Sequence, residues 1–205
     1  MSGRQGEKGG TVRAFVSVEL PQAVRAALKP TLDALAAERI RGLRTVRAES
    51  AHITLRFLGD VPCGRIAAVA EALCGAVRTV QPFQLRLGEV GAFPSSGAPS
   101  VLWIGLSGGL EEAGRLYEVV TASLAALDWP AEERGFLPHI TLARLAGRTS
   151  RSDRRDALRV ATSTPPQRLT FGVRTVCLMR SRLERAGARY EMLADARLGC
   201  PGGDA

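Results

Sequence analysis

Two hydrophobic periodicities alternate along this 205-residue chain, one of period two and one of helical spacing. VRAFVSVEL (12–20) is rich in β-formers and stops at Pro21, which predicts a strand. Over 22–40, Val24, Ala27, Leu28, Leu32, Leu35 and Ala36 share one helical face, which predicts a helix bent at Pro30. A short strand is expected at 43–47, then a strand over AHITLRFL (51–58), a turn at Gly59–Pro62 and a helix over 63–79. FQLRLGEVGAF (83–93) and SVLWIGLS (100–107) predict two strands joined by a Pro/Gly/Ser loop. Leu110, Ala113, Leu116, Val120 and Leu124 mark a helix over 109–127. LPHITLARL (137–145) predicts a strand, RTSRSDRRDALRVA (148–161) a basic helical stretch, and 168–183 and 188–195 the closing strands. Strands and helices mix without βαβ regularity, so the expected fold is α+β with mainly antiparallel sheets. One structured domain is expected over 12–195, with a disordered tail at 1–11 and a flexible tail at 196–205.

Two of the predicted strands share a tetrapeptide. His-Ile-Thr-Leu occurs at 52–55 and again at 139–142, and His52 and His139 are the only histidines in the chain. Side chains alternate across a strand. In the first copy Ile53, Leu55 and Phe57 are therefore expected on one face and His52, Thr54 and Arg56 on the other. In the second, Ile140 and Leu142 oppose His139 and Thr141. Each strand offers an apolar face to a core and an imidazole-hydroxyl pair to its other side. Two such strands placed side by side would direct both pairs into one cleft.

Such a cleft suits displacement at phosphorus. Imidazole titrates near neutral pH, so one histidine can take a proton from water while the other protonates the departing oxygen. The threonine hydroxyls would hold the non-bridging oxygens, and a nearby arginine would offset their charge. A bell-shaped pH dependence around neutrality is expected of such a pair. A lone histidine in a strand is more often a packing or surface residue. Two that share the same three following residues are not explained that way. No Asp, Glu or Cys lies near either histidine at metal-ligand spacing, so no metal and no cofactor are expected.

The formal net charge is +8, carried almost wholly by arginine, since Lys8 and Lys29 are the only lysines. Codon bias accounts for much of the arginine preference but not for the net charge, which points to a polyanionic partner. The stretch Arg148–Arg159 could guide RNA or be a solvated helix face, the two readings being about equal because Asp153 and Asp156 dilute it. Phe15, Phe93 and Trp103 could stack on bases, although core packing is the commoner role of aromatics. Cys63, Cys74, Cys177 and Cys200 include no CxxC pair and read as free thiols in a reducing cytoplasm. The glycine-rich start lacks the apolar core of a signal peptide, and no apolar run is long enough to span a bilayer, so a cytoplasmic monomer away from membranes is expected.

At these residues the chain resembles the 2H phosphoesterase superfamily, whose signature is two His-x-Thr motifs in one chain. It is most similar to the RNA 2′,3′-cyclic phosphodiesterases, also called 2′–5′ RNA ligases. The similarity runs through RAFVSVELP (13–21), HITLRFLGDV (52–61), GAFP (91–94), VLWIGL (101–106), FLPHITLAR (136–144) and SRLERAGARYEML (181–193). The resemblance implies two α+β lobes related by a pseudo-two-fold, with sheets lining a central cleft and helices outside. It implies that His52 donates a proton to the leaving oxygen and His139 accepts one. It further implies that Thr54, Thr141 and Arg144 bind the phosphate. The substrate would be an RNA 2′,3′-cyclic phosphate end, opened without metal to a 2′-phosphomonoester. Alternatives are ligation as the reverse reaction, action on a small cyclic nucleotide, or an RNA-end binding module without turnover. Relatives commonly carry a basic or polar residue where this chain has Leu137, so one further phosphate or base contact is absent from the pattern.

Overall fold

The period-two runs become strands and the helically spaced runs become helices in a computed structural model that describes residues 10–132, 135–184 and 187–199. Among these residues the order is β1 (Thr11–Glu19), α1 (Gln22–Ala37), β2 (Leu43–Thr45), β3 (His52–Pro62), α2 (Ile66–Val77), β4 (Phe83–Phe93), β5 (Val101–Gly108), α3 (Leu110–Ala125), β6 (His139–Leu145), α4 (Arg151–Ser163), β7 (Thr170–Val173), β8 (Thr175–Glu184) and β9 (Gly187–Arg197). The strands form one antiparallel sheet in the order β7-β4-β5-β6-β3-β1-β8-β9, with β2 set against β6. From the junction of β6 and β3 two matching series run outward, β3-β1-β8-β9 and β6-β5-β4-β7. The two sheets expected from the resemblance are thus halves of one. Only Arg174 separates β7 at one edge from β8 near the other. A single residue can bridge them only if the sheet curls, and the curl makes a concave face.

The helices cover the opposite face. α1 buries Val24, Leu28, Leu32 and Leu35, α2 buries Val69, Leu73 and Val77, and α3 buries Ala113, Leu116, Val120 and Leu124. These side chains join one core with Ile53, Leu55, Ile140 and Leu142 of the motif strands. α1 packs on α4 and α2 on α3. Pro30 lies inside α1 without ending it.

Three sequence expectations change. The turn expected at Gly59–Pro62 is strand: Asp60, Val61 and Pro62 pair with Arg13, Val12 and Thr11. Gly59, at φ 68°, takes a left-handed conformation that suits glycine, and a bulge there lets the strand continue. The run 168–183 is two strands with different partners. The domain also extends past 195. Ala196 and Leu198 are buried, and the Leu198 N–H donates to the Arg174 carbonyl at 2.9 Å. Of the expected tails, 1–9 and 200–205 lie outside the described residues.

Candidate active site

The two halves of the sheet meet at one residue pair, Ile53 opposite Ile140. Both isoleucines are almost wholly buried in the core. Their neighbours in sequence must therefore face the concave side. Continuing the antiparallel register by one residue each way sets His52 across from Thr141 and Thr54 across from His139. The four motif side chains form a diagonal square, and all four are half-buried.

Each histidine is held in the same way. His52 Nδ1 lies 2.8 Å from the carbonyl of Ser50, and His139 Nδ1 lies 2.8 Å from the carbonyl of Leu137. A carbonyl can only accept, so both Nδ1 atoms carry hydrogen and donate. In the neutral ring Nε2 is then the basic nitrogen, and in the cation it is an acid. Aromatic rings flank both imidazoles. Phe15 and Tyr190 sit 4.8 and 5.1 Å from the His52 ring, and Phe93 and Trp103 sit 5.1 and 6.1 Å from His139. Phe15, only 3% exposed, packs with Cys177, Met179 and Tyr190 in a small cluster separate from the main core. Phe93 and Trp103 are half-buried beside His139 rather than core residues. The Trp103 indole covers Gly91, where a Cβ would stand 2.2 Å from the ring, so only glycine admits it.

Strict alternation fails after both threonines, for the same reason. The β1–β3 register passes from Ser17 opposite Thr54 to Val16 opposite Arg56, and the β5–β6 register from Trp103 opposite Thr141 to Leu102 opposite Ala143. The skipped residue is the motif leucine each time, Leu55 or Leu142. A bulge at that leucine exchanges the faces of the residues that follow it, up to the next irregularity in the strand. Phe57, expected in the core with Ile53 and Leu55, is instead 58% exposed on the side of His52 and Thr54. Arg56, expected beside the histidine, is 4% exposed on the core side. There it donates to the Pro130 carbonyl and pairs with Glu132 at 2.7 Å, tying the first motif to the segment that leads to the second. In β6 the same bulge turns Arg144 toward the cleft, where unbroken alternation would have set it in the core with Ile140 and Leu142.

The electrostatics agree with that placement. Burial holds the His52 pKa below its ordinary 6.5, and the charges of Arg144 and His139 add to the effect against the Ser50 hydrogen bond. Burial likewise lowers His139, with Arg144 adding to it against the Leu137 bond. Burial raises the Tyr190 phenol while Arg144 opposes the rise. One guanidinium thus acts on both imidazoles and on Tyr190. Cys177, in the cluster beneath His52, is pushed up to about 12 by burial and by Glu19 and Asp195, so it stays a thiol.

The expected residues His52, Thr54, His139, Thr141 and Arg144 all come together on the concave side. The stretch Arg148–Arg159 divides. Arg154 is buried and donates to the carbonyls of Thr149, Gly147, Ala146 and Pro99, a clamp on the loops beside α4. Arg148, Arg151, Arg155 and Arg159 are exposed. Leu137 is 52% exposed and serves the site through its backbone carbonyl. Sequence reasoning missed Tyr190 and Phe57 as site residues. The repeat itself held the one signal, since both copies place a leucine at the bulge.

A family model described as the 2′-5′ RNA ligase superfamily matches residues 26–185. An Archaeoglobus fulgidus protein named RNA 2′,3′-cyclic phosphodiesterase is 36% identical over 137 residues, 65% of this chain and 73% of that one. A Geobacillus stearothermophilus protein of the same name is 34% identical over 77% of this chain, which spans about half (49%) of that relative. The solved structure of the Thermus thermophilus protein TT0787 superposes with a TM-score of 0.73 at 30% identity, covering 91% of this chain and 98% of that one.

Proposed function

Because the chain belongs to the 2′-5′ RNA ligase superfamily, we propose that it is an RNA 2′,3′-cyclic phosphodiesterase acting by paired histidines. The observation that carries this reading is the pair of Nδ1–carbonyl bonds, which leaves two Nε2 atoms free on either side of one residue pair. His139 Nε2 takes a proton from water, whose oxygen attacks phosphorus. The bond from phosphorus to the 3′ oxygen breaks, and His52 Nε2–H gives its proton to that oxygen. The product is a 2′-phosphomonoester, and the histidine pair ends with its proton exchanged across the cleft. Thr54 and Thr141 donate to the non-bridging oxygens, and Arg144 offsets their growing charge.

No metal is needed in this scheme. Each Nδ1 is spent on a backbone carbonyl, and each Nε2 is assigned to proton transfer. With a 5′-hydroxyl in place of water, the same proton transfers would join RNA ends. The protein acts as a single bilobal catalytic domain, a monomer of the cytoplasm. Among the described residues no helix is long and apolar enough to cross a membrane.

The test is incubation in EDTA with 2′,3′-cyclic AMP and with an oligonucleotide ending in a 2′,3′-cyclic phosphate, the product assigned by phosphorus NMR. Turnover of the oligonucleotide to a 2′-phosphate is expected. Preference for the mononucleotide would favour a small-molecule substrate, and binding without turnover a non-catalytic role. Restoration by Mn²⁺ or Zn²⁺ of a reaction that EDTA abolishes would overturn the two-histidine scheme.

A further inference from the structure

β2 is three residues long and fills the space beside β6 where β3 has diverged. It pairs Leu43 with Leu145, Arg44 with Arg144 and Thr45 with Ala143. Directly opposed residues of an antiparallel pair project from the same face. Arg44 therefore stands beside Arg144 on the concave side, and both are exposed.

This is an unfavourable pairing on its own. Like charges directly opposite in a sheet repel and destabilise it. Where Arg182 stands opposite Arg189 in the β8–β9 pair, an ion pair relieves such repulsion, since Arg182 reaches Glu191 at 3.2 Å. Among the described residues neither Arg44 nor Arg144 has an acidic partner within 4.0 Å. Arg47, two residues past β2, is also exposed and without an acidic partner there, and its Nη2 donates to the Ala188 carbonyl at 3.4 Å. Arg44 and Arg47, on and just after one short strand, thus stand beside Arg144 of the motif strand, and none of the three has countercharge within that set.

The order along the cleft gives the cluster a direction. His139 and Thr141 come first on β6, Arg144 follows roughly 10 Å further along an extended strand, and Arg44 lies beside it on the next strand. A ligand whose reacting phosphate sits among the histidines and threonines would carry its next anionic group toward this pair. A mononucleotide cyclic phosphate has no such group. An RNA strand has one, the phosphodiester on the 5′ side of its terminal nucleotide.

We propose that Arg44 is a specificity-determining residue that binds the phosphodiester next to the reacting phosphate, with Arg144 lying between it and the histidines. The proposal rests on the RNA reading above and adds to it a second anion subsite that only a strand of two or more nucleotides can fill. A planar guanidinium fits a phosphodiester through two donors at once, and the bound anion also relieves the Arg44–Arg144 repulsion.

The experiment compares wild type with Arg44→Ala, Arg44→Lys and Arg78→Ala, the last removing an exposed arginine directly after α2. kcat/KM is measured on 2′,3′-cyclic AMP and on a short oligonucleotide with a 2′,3′-cyclic end, across a salt series. Binding of the same oligonucleotide is read by fluorescence anisotropy. Arg44→Ala should lower the oligonucleotide-to-mononucleotide ratio of kcat/KM about tenfold, the size of one charge-assisted hydrogen bond. It should also reduce the slope of log affinity against log salt by about 0.7, the value for one phosphate contact on a single strand. Arg44→Lys should recover part of the loss, and Arg78→Ala should leave the ratio unchanged. Equal losses on both substrates, no loss on either, or the same loss from Arg78→Ala would overturn the proposal. If wild type turned over neither substrate, the phosphodiesterase reading would fail. The anisotropy comparison would still decide whether Arg44 contacts RNA.

Discussion

The two motif strands share everything that proton transfer requires and differ in what stands five residues on. β3 and β6 each carry His-Ile-Thr-Leu, an Nδ1–carbonyl bond two residues back, a buried isoleucine at the junction and a bulge at the leucine. Beyond the bulge β3 turns Phe57 to the cleft and β6 turns Arg144. One end of the cleft is therefore apolar and the other cationic. The difference teaches that the repeat preserves a proton relay while the residues outside it give the cleft a polarity, and so a way to orient a strand whose base and phosphate are chemically distinct.

The largest expected effect would break the likeness between the strands. Replacing His52 or His139 with Ala removes a proton-transfer group, and kcat should fall about 10²–10⁴-fold in each case. The double variant should be little worse than either single one, because acid and base act as a unit. Steady-state kinetics with folding checked by circular dichroism decides it. A variant that kept wild-type kcat would reduce the repeat to a structural echo.

Thr54→Val and Thr141→Val test whether the diagonal square is shared equally. Each removes a hydroxyl while nearly keeping the shape, and each should weaken phosphate binding by about 1–3 kcal/mol. KM should rise along with any fall in kcat. A change at one threonine alone would show that the phosphate leans on one strand.

The smallest effect sharpens the comparison through pH. Both histidines titrate below their ordinary 6.5 in the folded protein, chiefly through burial and further through Arg144. The form with one proton on the pair is then most populated on the acid side of 6.5. The maximum of kcat/KM, which reports the free protein, should lie there rather than at neutrality. Arg144→Gln should move the profile to higher pH, whereas Phe57→Leu should not. Stability carries the same sign. A depressed pKa means that the unfolded chain binds more protons, so the contribution is complete above 6.5 and is lost as pH falls through the folded values. Urea denaturation midpoints that rose on acidification across that window would contradict the burial of the two rings.

Much of the site was legible because a chain with two histidines places both in one tetrapeptide. The strand and helix assignments followed from periodicity, and 83–93 is strand to its stated ends. The faces of Arg56 and Phe57 were not legible. Alternation assumes an unbroken pleat, and a single inserted residue reverses the side chains that follow it, up to the next irregularity. The same limit explains why Arg144 could be assigned through resemblance but not through spacing. Gly59 read as a turn because glycine marks turns and bulges alike, and the partner strand decides between them. Tyr190 comes to His52 from a strand far along the chain, and local pattern carries no trace of that proximity.

The junction of the two half-sheets has a consequence for cooperativity. Ile53 and Ile140 are the sole pair joining β3 to β6, both are at most 1% exposed, and each follows a motif histidine directly. The spacing between the two imidazoles is thus a dimension of the core itself. A loop-borne pair could drift apart in local openings, but this pair separates only when the interior does. Amide hydrogens at Ile53 and Ile140 should accordingly exchange with solvent at the slow, global limit. Heat should abolish the activity and the fold in a single transition, with no inactive folded species between them.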